Sequence, residues 1–172
     1  MKYPKITIVN SDNQAIGTEQ LPRALEKSLI RQVVRVIISN GKGGIYFQQR
    51  SPQVMLFPSF WDNSAVGHVD AGETEEQAAL REVREELGIK NISIQKIATY
   101  YREDVDPFRK YVLKSFDSLF TGTHHQDIHP PNWEVSQGKW SSQEEAVSWE
   151  LLTPGCRNAL ERYAEWRKRN PS

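Results

Sequence analysis

The segment TEEQAALREVREELG, Thr74 to Gly88, most limits what this chain can become, because it carries helix signals at both ends. Thr74 followed three positions later by Gln77 forms a capping box, Glu75 and Glu76 suit the positive end of the helix dipole, and Gly88 supplies a left-handed stop. These signals predict a helix over Glu73 to Leu87. At about 100° per residue, Ala79, Leu80, Val83 and Leu87 fall on one stripe able to pack on a sheet. Glu82, Glu85 and Glu86 are expected along its edge. Residues three and four apart are helix neighbours, so Glu82 faces both other glutamates, and each like-charged pair costs roughly 0.2–0.5 kcal/mol.

The flanks of this helix read as strands. KITIVNSDNQAIG is a strand, a polar turn at Ser11 to Asn13 and a return, and LPRALEKSLIRQ carries a weak helical rhythm. RQVVRVIIS, rich in β-branched residues, predicts a buried strand, with GIYFQQR as its hairpin partner across Asn40 to Gly44. WDNSAVGHV predicts another strand running into the Asp70–Gly72 turn. NISIQKIATYY, FRKYVLKSFDSLF and EVSQGKWSS read as further strands, with TGTHHQDIHPPNW a loop between the last two. Thr153 before Pro154 opens a final helix whose apolar face is Ala159, Leu160, Tyr163 and Trp166. Strands interleaved with two substantial helices predict an α/β (α+β) fold. The length of 172 residues suits one domain over 1–172, with 1–30 as an N-terminal strand and helix extension.

Composition narrows the partners. Lys plus Arg and Asp plus Glu both total 22, so no global field draws the chain to nucleic acid or an anionic membrane. No apolar run is long enough to span a bilayer, and no N-terminal signal segment is apparent. Cys156, the single cysteine, excludes an intrachain disulfide framework, and a reducing cytoplasm is the expected compartment.

Three carboxylates on adjacent helical positions make a hard-oxygen site suited to Mg²⁺ or Mn²⁺ rather than zinc. The competing reading is a solvated acidic face with Arg81 paired to Glu85. The wider spacing decides between them. From Gly67 the sequence runs glycine, five residues, Glu73, seven residues, then Arg81-Glu82-Val83-X-Glu85-Glu86-X-Gly88-Ile89. It resembles a complete Nudix box, far more specific than a lone glycine loop.

That resemblance implies the Nudix α/β/α sandwich with a mixed central β-sheet, Glu82, Glu85, Glu86 and the Gly67 carbonyl serving as metal ligands and Glu73 and Arg81 pairing to shape loop and helix. It implies hydrolysis of a nucleoside diphosphate linked to another moiety, by water attack at phosphorus with Mg²⁺ or Mn²⁺ as cofactor. Glu85 and Glu86 are candidate general bases within the box, and Glu134 is one outside it. The partner implied is a small nucleotide or diphosphate, and a homodimer is compatible with the family.

The stretches VNSDNQAIGTE and QQRSPQVMLFPSFWDNSAVGHV resemble the isopentenyl-diphosphate-isomerase-like branch. Arg50 and His68 are accordingly expected at the substrate. Val66, however, stands where true isomerases carry a cysteine, and the histidine expected near LIRQVV is absent. The intact box argues against a nucleotide-sensing domain that has lost catalysis. Arg102 and Lys110 are further candidate phosphate partners, and Trp61, Tyr100, Tyr101 and Trp133 candidate stacking surfaces. The loop with His124, His125 and His129 matches no closed zinc spacing.

Overall fold

The computed structural model describes residues 4–131 and 133–171, so residues 1–3 of the expected extension lie outside it. The N-terminal extension is a hairpin of β1 (Lys5–Val9) and β2 (Ala15–Gln20), followed by the short helix α1 (Leu21–Glu26). Strand β3 (Ile30–Ser39) is the hub of the sheet. Along one edge it runs parallel to β8 (Val112–Thr123) from Ile30 to Ser39, and β7 (Ile94–Val105) lies antiparallel outside β8. Along the other edge it meets β1 at Arg31 and then β6 (Ala65–His68) from Val33 to Val36. The sheet is therefore mixed.

The expected hairpin partner of β3 leaves it almost at once. Strand β4 (Ile45–Arg50) pairs with β3 only at Ser39–Ile45, then splays away to pair with β5 (Trp61–Asp62) and β9 (Val135–Ser141). The reason is that β6 already holds that edge of β3. Ser64 marks the split: its hydroxyl donates to the Tyr46 carbonyl (2.6 Å) and accepts from the Ile38 amide (2.8 Å). The predicted WDNSAVGHV strand is thereby broken into β5 and β6, with Asn63 and Ser64 buried between them.

Alternation along β3 sorts its side chains onto two faces. Val34, Val36 and Ile38 join Ala79, Val83 and Leu87 of α2 (Glu75–Leu87), while Ile37 joins Ala159, Leu160 and Tyr163 of α4 (Pro154–Arg169). The sheet thus lies between α2 and α4, an α/β/α sandwich, with the short α3 (Gln143–Ala146) leading into α4.

Helix α2 begins two residues later than expected. Thr74 is its N-cap, with both capping-box bonds to Gln77 formed, and Gly88 ends it at φ 73°. Leu80 is 38% exposed and does not join the core. The stripe that meets the sheet centres on Ala79, Val83 and Glu86, which leaves Leu80, about 100° round the helix from Ala79, on its flank. Glu86 is therefore inside the buried stripe and not along its edge. Trp166, expected on the apolar face of α4, is only partly buried and packs beside Tyr163.

Candidate functional site

The turn between β6 and α2 is organised by one arginine. Arg81 forms a two-pronged contact with Glu73, Nε to Oε1 at 2.8 Å and Nη2 to Oε2 at 2.9 Å, and Nη2 also donates to the His68 carbonyl at 2.9 Å. Glu73 accepts in addition from the Asp70 amide (3.1 Å), which explains why it serves the turn and not the helix. Ion pairing with Arg81 holds the Glu73 carboxyl below its usual range. The remaining prong, Nη1, reaches Glu82 Oε1 (2.6 Å) and Glu85 Oε2 (3.3 Å). The Arg81–Glu85 pair of the solvated-face reading is thus present, but it is one branch of a larger network.

Glu82 sits directly over Gly67. A Cβ built on Gly67 would fall within the Glu82 carboxylate, so only glycine permits this approach of helix to strand. Burial, aided by the charges of Glu85 and Glu134, raises the Glu82 pKa to about 7 despite Arg81. Glu86 is buried, and its Oε2 accepts from Gln48 Nε2 of β4 (2.8 Å) and the Val66 amide of β6 (2.9 Å), bridging the two arms of the split sheet. Burial and the neighbouring Glu82 push its pKa well above the ordinary value.

Glu82 and Glu85 line a pocket of about 460 Å³, with Gly67, His68, Trp133 and Glu134 in its walls. That volume lies in the range of small-ligand sites. The structure brings together Gly67, Glu73, Arg81, Glu82 and Glu85, with Glu134 in the lining of the same pocket, whereas Glu86 is buried outside that lining. Among the described residues no three His, Cys, Asp or Glu side chains converge tightly enough to enclose a cation. The donor chemistry nevertheless fits a hard divalent ion. Glu82 and Glu85 are carboxylates held together with only Arg81 between them, and the Gly67 cradle leaves space where a side chain would intrude.

The inner part of the pocket was not legible as a site. Because Arg31, Val33 and Arg35 alternate with the α2-facing residues of β3, they point to the opposite face, where β6 contributes Val66 and His68 and β8 contributes Asp117. Arg35 is enclosed by Asp117 (Nε to Oδ2, 2.6 Å), Asp62 (Nη1 to Oδ1, 2.9 Å) and Asn63. The arginines hold the Asp117 carboxyl at about 2. His68 Nε2 accepts from Arg31 Nη1 at 2.8 Å. Burial and this guanidinium push its pKa well down, so the ring is neutral. The available signal was the spacing of Arg31 and Arg35 in a largely apolar run, two positions either side of Val33 on one face.

The other candidates separate clearly. Arg50 lines the pocket, its Nε donating to the Leu56 carbonyl at 3.0 Å. Arg102 joins the buried cluster through Asp117 and Asp104. Trp133 is the one stacking candidate among the four in the pocket wall. Trp61 packs against Trp149, Tyr100 lies under Arg162, and Tyr101 is turned out toward Glu103. Lys110 is exposed and outside the lining. His125 bonds the Asn40 carbonyl, without a metal cluster forming around that loop among the described residues. Cys156 is buried in the α4 core against Asn63 Nδ2 (3.3 Å), outside the pocket lining, and cannot replace a cysteine at Val66.

A family model described as NUDIX domain matches residues 29–163. The chain is 28% identical over 166 residues to the uncharacterized Nudix hydrolase YfcD of Escherichia coli K12, spanning 96% of this chain and 87% of that protein. It is 32% identical to a Nudix hydrolase of Deinococcus radiodurans, over 84% of this chain and 82% of the relative. A weaker similarity, 26% identity over 68% of this chain and 64% of the relative, is to an isopentenyl-diphosphate Delta-isomerase of Serratia proteamaculans. Among solved structures, that of DR0079 from Deinococcus radiodurans superposes with a TM-score of 0.75 at 25% identity, over 92% of this chain and 98% of that one.

Proposed function

The chain belongs to the Nudix family, and from that premise we propose that it hydrolyses the pyrophosphate bond of a nucleoside diphosphate linked to another moiety, with Mg²⁺ or Mn²⁺ as cofactor. The observation that carries this reading is the Glu82 carboxylate seated against Gly67, with Glu85 and Glu134 in the wall of the same pocket. Glu82 and Glu85 would hold the cation, with the Gly67 carbonyl and, after a side-chain rearrangement, Glu86. Such a cation, when bound, neutralises diphosphate oxygens and makes water more acidic.

The chain's own groups supply the rest. Water forms the new O–P bond as the bridging P–O bond breaks, and the proton released passes to a carboxylate. Glu134 and Glu85 line the pocket and can take it, whereas Glu86, buried outside the lining and bonded to Gln48 and Val66, is less accessible. Arg81, anchored by Glu73, keeps Glu82 and Glu85 on the pocket side of α2. Arg50 and His68 line the same pocket and would face the substrate from its wall. The face of Trp133 is available for a base.

The test is hydrolysis of a panel of nucleoside di- and triphosphates, nucleotide sugars, ADP-ribose, NADH, CoA and isopentenyl diphosphate, with Mg²⁺, with Mn²⁺ and with chelator. Metal-dependent product release by the parent, lost in Glu85→Gln, is expected. Binding of a panel member without turnover would replace this reading with a sensor, and double-bond migration in isopentenyl diphosphate would replace it with an isomerase.

A further inference from the structure

The inner end of the pocket holds more positive charge than its own carboxylates neutralise. Asp117 is fully engaged: Oδ2 accepts from Arg35 and Arg102, and Oδ1 accepts from the Ser115 hydroxyl at 2.5 Å. Asp62 Oδ1 is taken by Arg35 and the Asn63 amide. Asp104 pairs with Arg102. Arg35 and Arg102 thus each have carboxylate partners, and none of these carboxylates lies within 4.0 Å of Arg31.

Arg31 is 3% exposed, and among the described residues no carboxylate lies within 4.0 Å of it. One nitrogen, Nη1, donates to His68 Nε2. A guanidinium can only donate, so that histidine nitrogen carries a lone pair and the ring offers no negative charge. Arg31 Nε is buried without a hydrogen-bond partner. The charged groups that act on Arg31 are Asp117, Arg102 and Arg35, two like charges against one already shared. Arg50, on the neighbouring wall, also lacks a carboxylate within 4.0 Å among the described residues. Buried charges are ordinarily paired, and leaving a donor unsatisfied costs about 1–3 kcal/mol. A pocket that retains such a donor is arranged for a visitor that supplies the missing acceptor.

We propose that Arg31 and Arg50, which line the same pocket as Glu82 and Glu85, form an anion subsite, independent of any metal, which receives a phosphate or carboxylate group of the substrate. Val54, Leu56, Phe57 and Leu113 line the same cavity, so the part of the ligand between the two ends crosses an apolar surface. The preferred substrate on this account carries an anionic group beyond the phosphorus that is attacked. The word substrate rests on the hydrolase reading, but the subsite itself is a property of the pocket.

The experiment is performed in chelator, so that no turnover enters it. Full-length protein labelled with ¹⁵N-histidine is titrated separately with inorganic phosphate and with acetate, and the His68 imidazole signals are followed. A saturable shift is expected. Response to phosphate alone assigns the phosphate class, response to acetate alone the carboxylate class, and response to both a general oxyanion site. Arg31→Met is expected to weaken binding by roughly tenfold or more, as measured by calorimetry, and Lys110→Gln to leave it unchanged. If Arg31→Met does not fold, Arg50→Gln carries the same comparison. No saturable response in the parent to either anion, or parent-like binding by the folded variant, overturns the proposal. Metal-dependent hydrolysis of the panel is unaffected by that outcome, so the two readings fail separately.

Discussion

Replacing Glu82 by glutamine is expected to stabilise the metal-free protein while abolishing its turnover. The side chain is buried beside Gly67 and in the field of Glu85 and Glu134, and its pKa stands at about 7 against an ordinary 4.5. Each pH unit of difference between folded and unfolded values corresponds to about 1.4 kcal/mol, which gives a ceiling of ~3 kcal/mol. The direction follows from proton counts. Between pH 4.5 and about 7 the folded state binds more protons at this position than the unfolded state, so stability falls as pH rises through that window and stays low above it. Glutamine removes the titration, and its amide oxygen can still accept from Arg81 Nη1. The variant should therefore match the parent near pH 4 and exceed it at pH 8 by on the order of 1–3 kcal/mol, or ~2–12 °C in thermal midpoint for a domain of this size. The assay is urea and thermal unfolding of both proteins in chelator across pH 4 to 8. A variant no more stable than the parent at pH 8, or a gap of the same size at both ends of the range, would refute the assignment of strain to this carboxylate. Millimolar Mg²⁺ should then raise the midpoint of the parent and leave that of Glu82→Gln in place, by mass action on the native state.

Three further perturbations test neighbouring contacts. Gly67→Ala places a methyl group where the Glu82 carboxylate lies; the flexible side chain yields, so the protein should fold with a small change in midpoint while turnover falls by roughly tenfold or more, read from kcat and the unfolding curve together. Glu73→Gln weakens the two-pronged contact with Arg81, and a loss of ~1–2 kcal/mol in urea unfolding is expected, vanishing as acid protonates the parent's Glu73 below its lowered pKa. Arg35→Met leaves Asp62 and Asp117 buried without their shared cation and should cost ~3–5 kcal/mol by the same measurement. A loss under 1 kcal/mol there would mean that the pocket floor is wetter and less dependent on ion pairing than its burial implies.

The helix that presents the glutamates was legible almost completely, because its signals are local: Thr74, Gln77 and Gly88 act on backbone groups within one turn of themselves. The β1–β2 hairpin, β7, β8 and α4 were legible for similar reasons of periodicity and turn chemistry. The early departure of β4 from β3 was not, since it depends on β6 and β8 holding the two edges of β3, contacts made far along the chain. The stripe on α2 was misjudged at Leu80 and Glu86 for a related reason. Periodicity identifies a face but not the line along which the sheet touches it, and the amide of Val66 and the side chain of Gln48 give Glu86 a buried place that hydropathy disfavours.

The arginines of β3 show how strand parity divides labour in this fold. Gly67 pairs with Val34 and therefore shares the face covered by α2, which is why Glu82 rests on it. Val66 and His68 pair with Arg35 and Val33 and face the other way. On that second face α4 covers the C-terminal half of β3, at Ile37, and leaves the N-terminal half, at Arg31 and Val33, as pocket wall. Three consecutive residues of β6 thus touch both the acidic face of α2 and the basic floor of the cavity. A ligand bound along this strand would have one end among carboxylates that require a cation and the other among guanidiniums that require an anion. Such opposed ends fix the ligand's direction as well as its affinity. A reversed diphosphate would place its unneutralised oxygens against Glu82 and Glu85. Metal dependence and anion dependence should consequently be separable in binding, the first lost in Glu85→Gln and the second in Arg31→Met, and they should be coupled only in turnover, where both ends must be held at once.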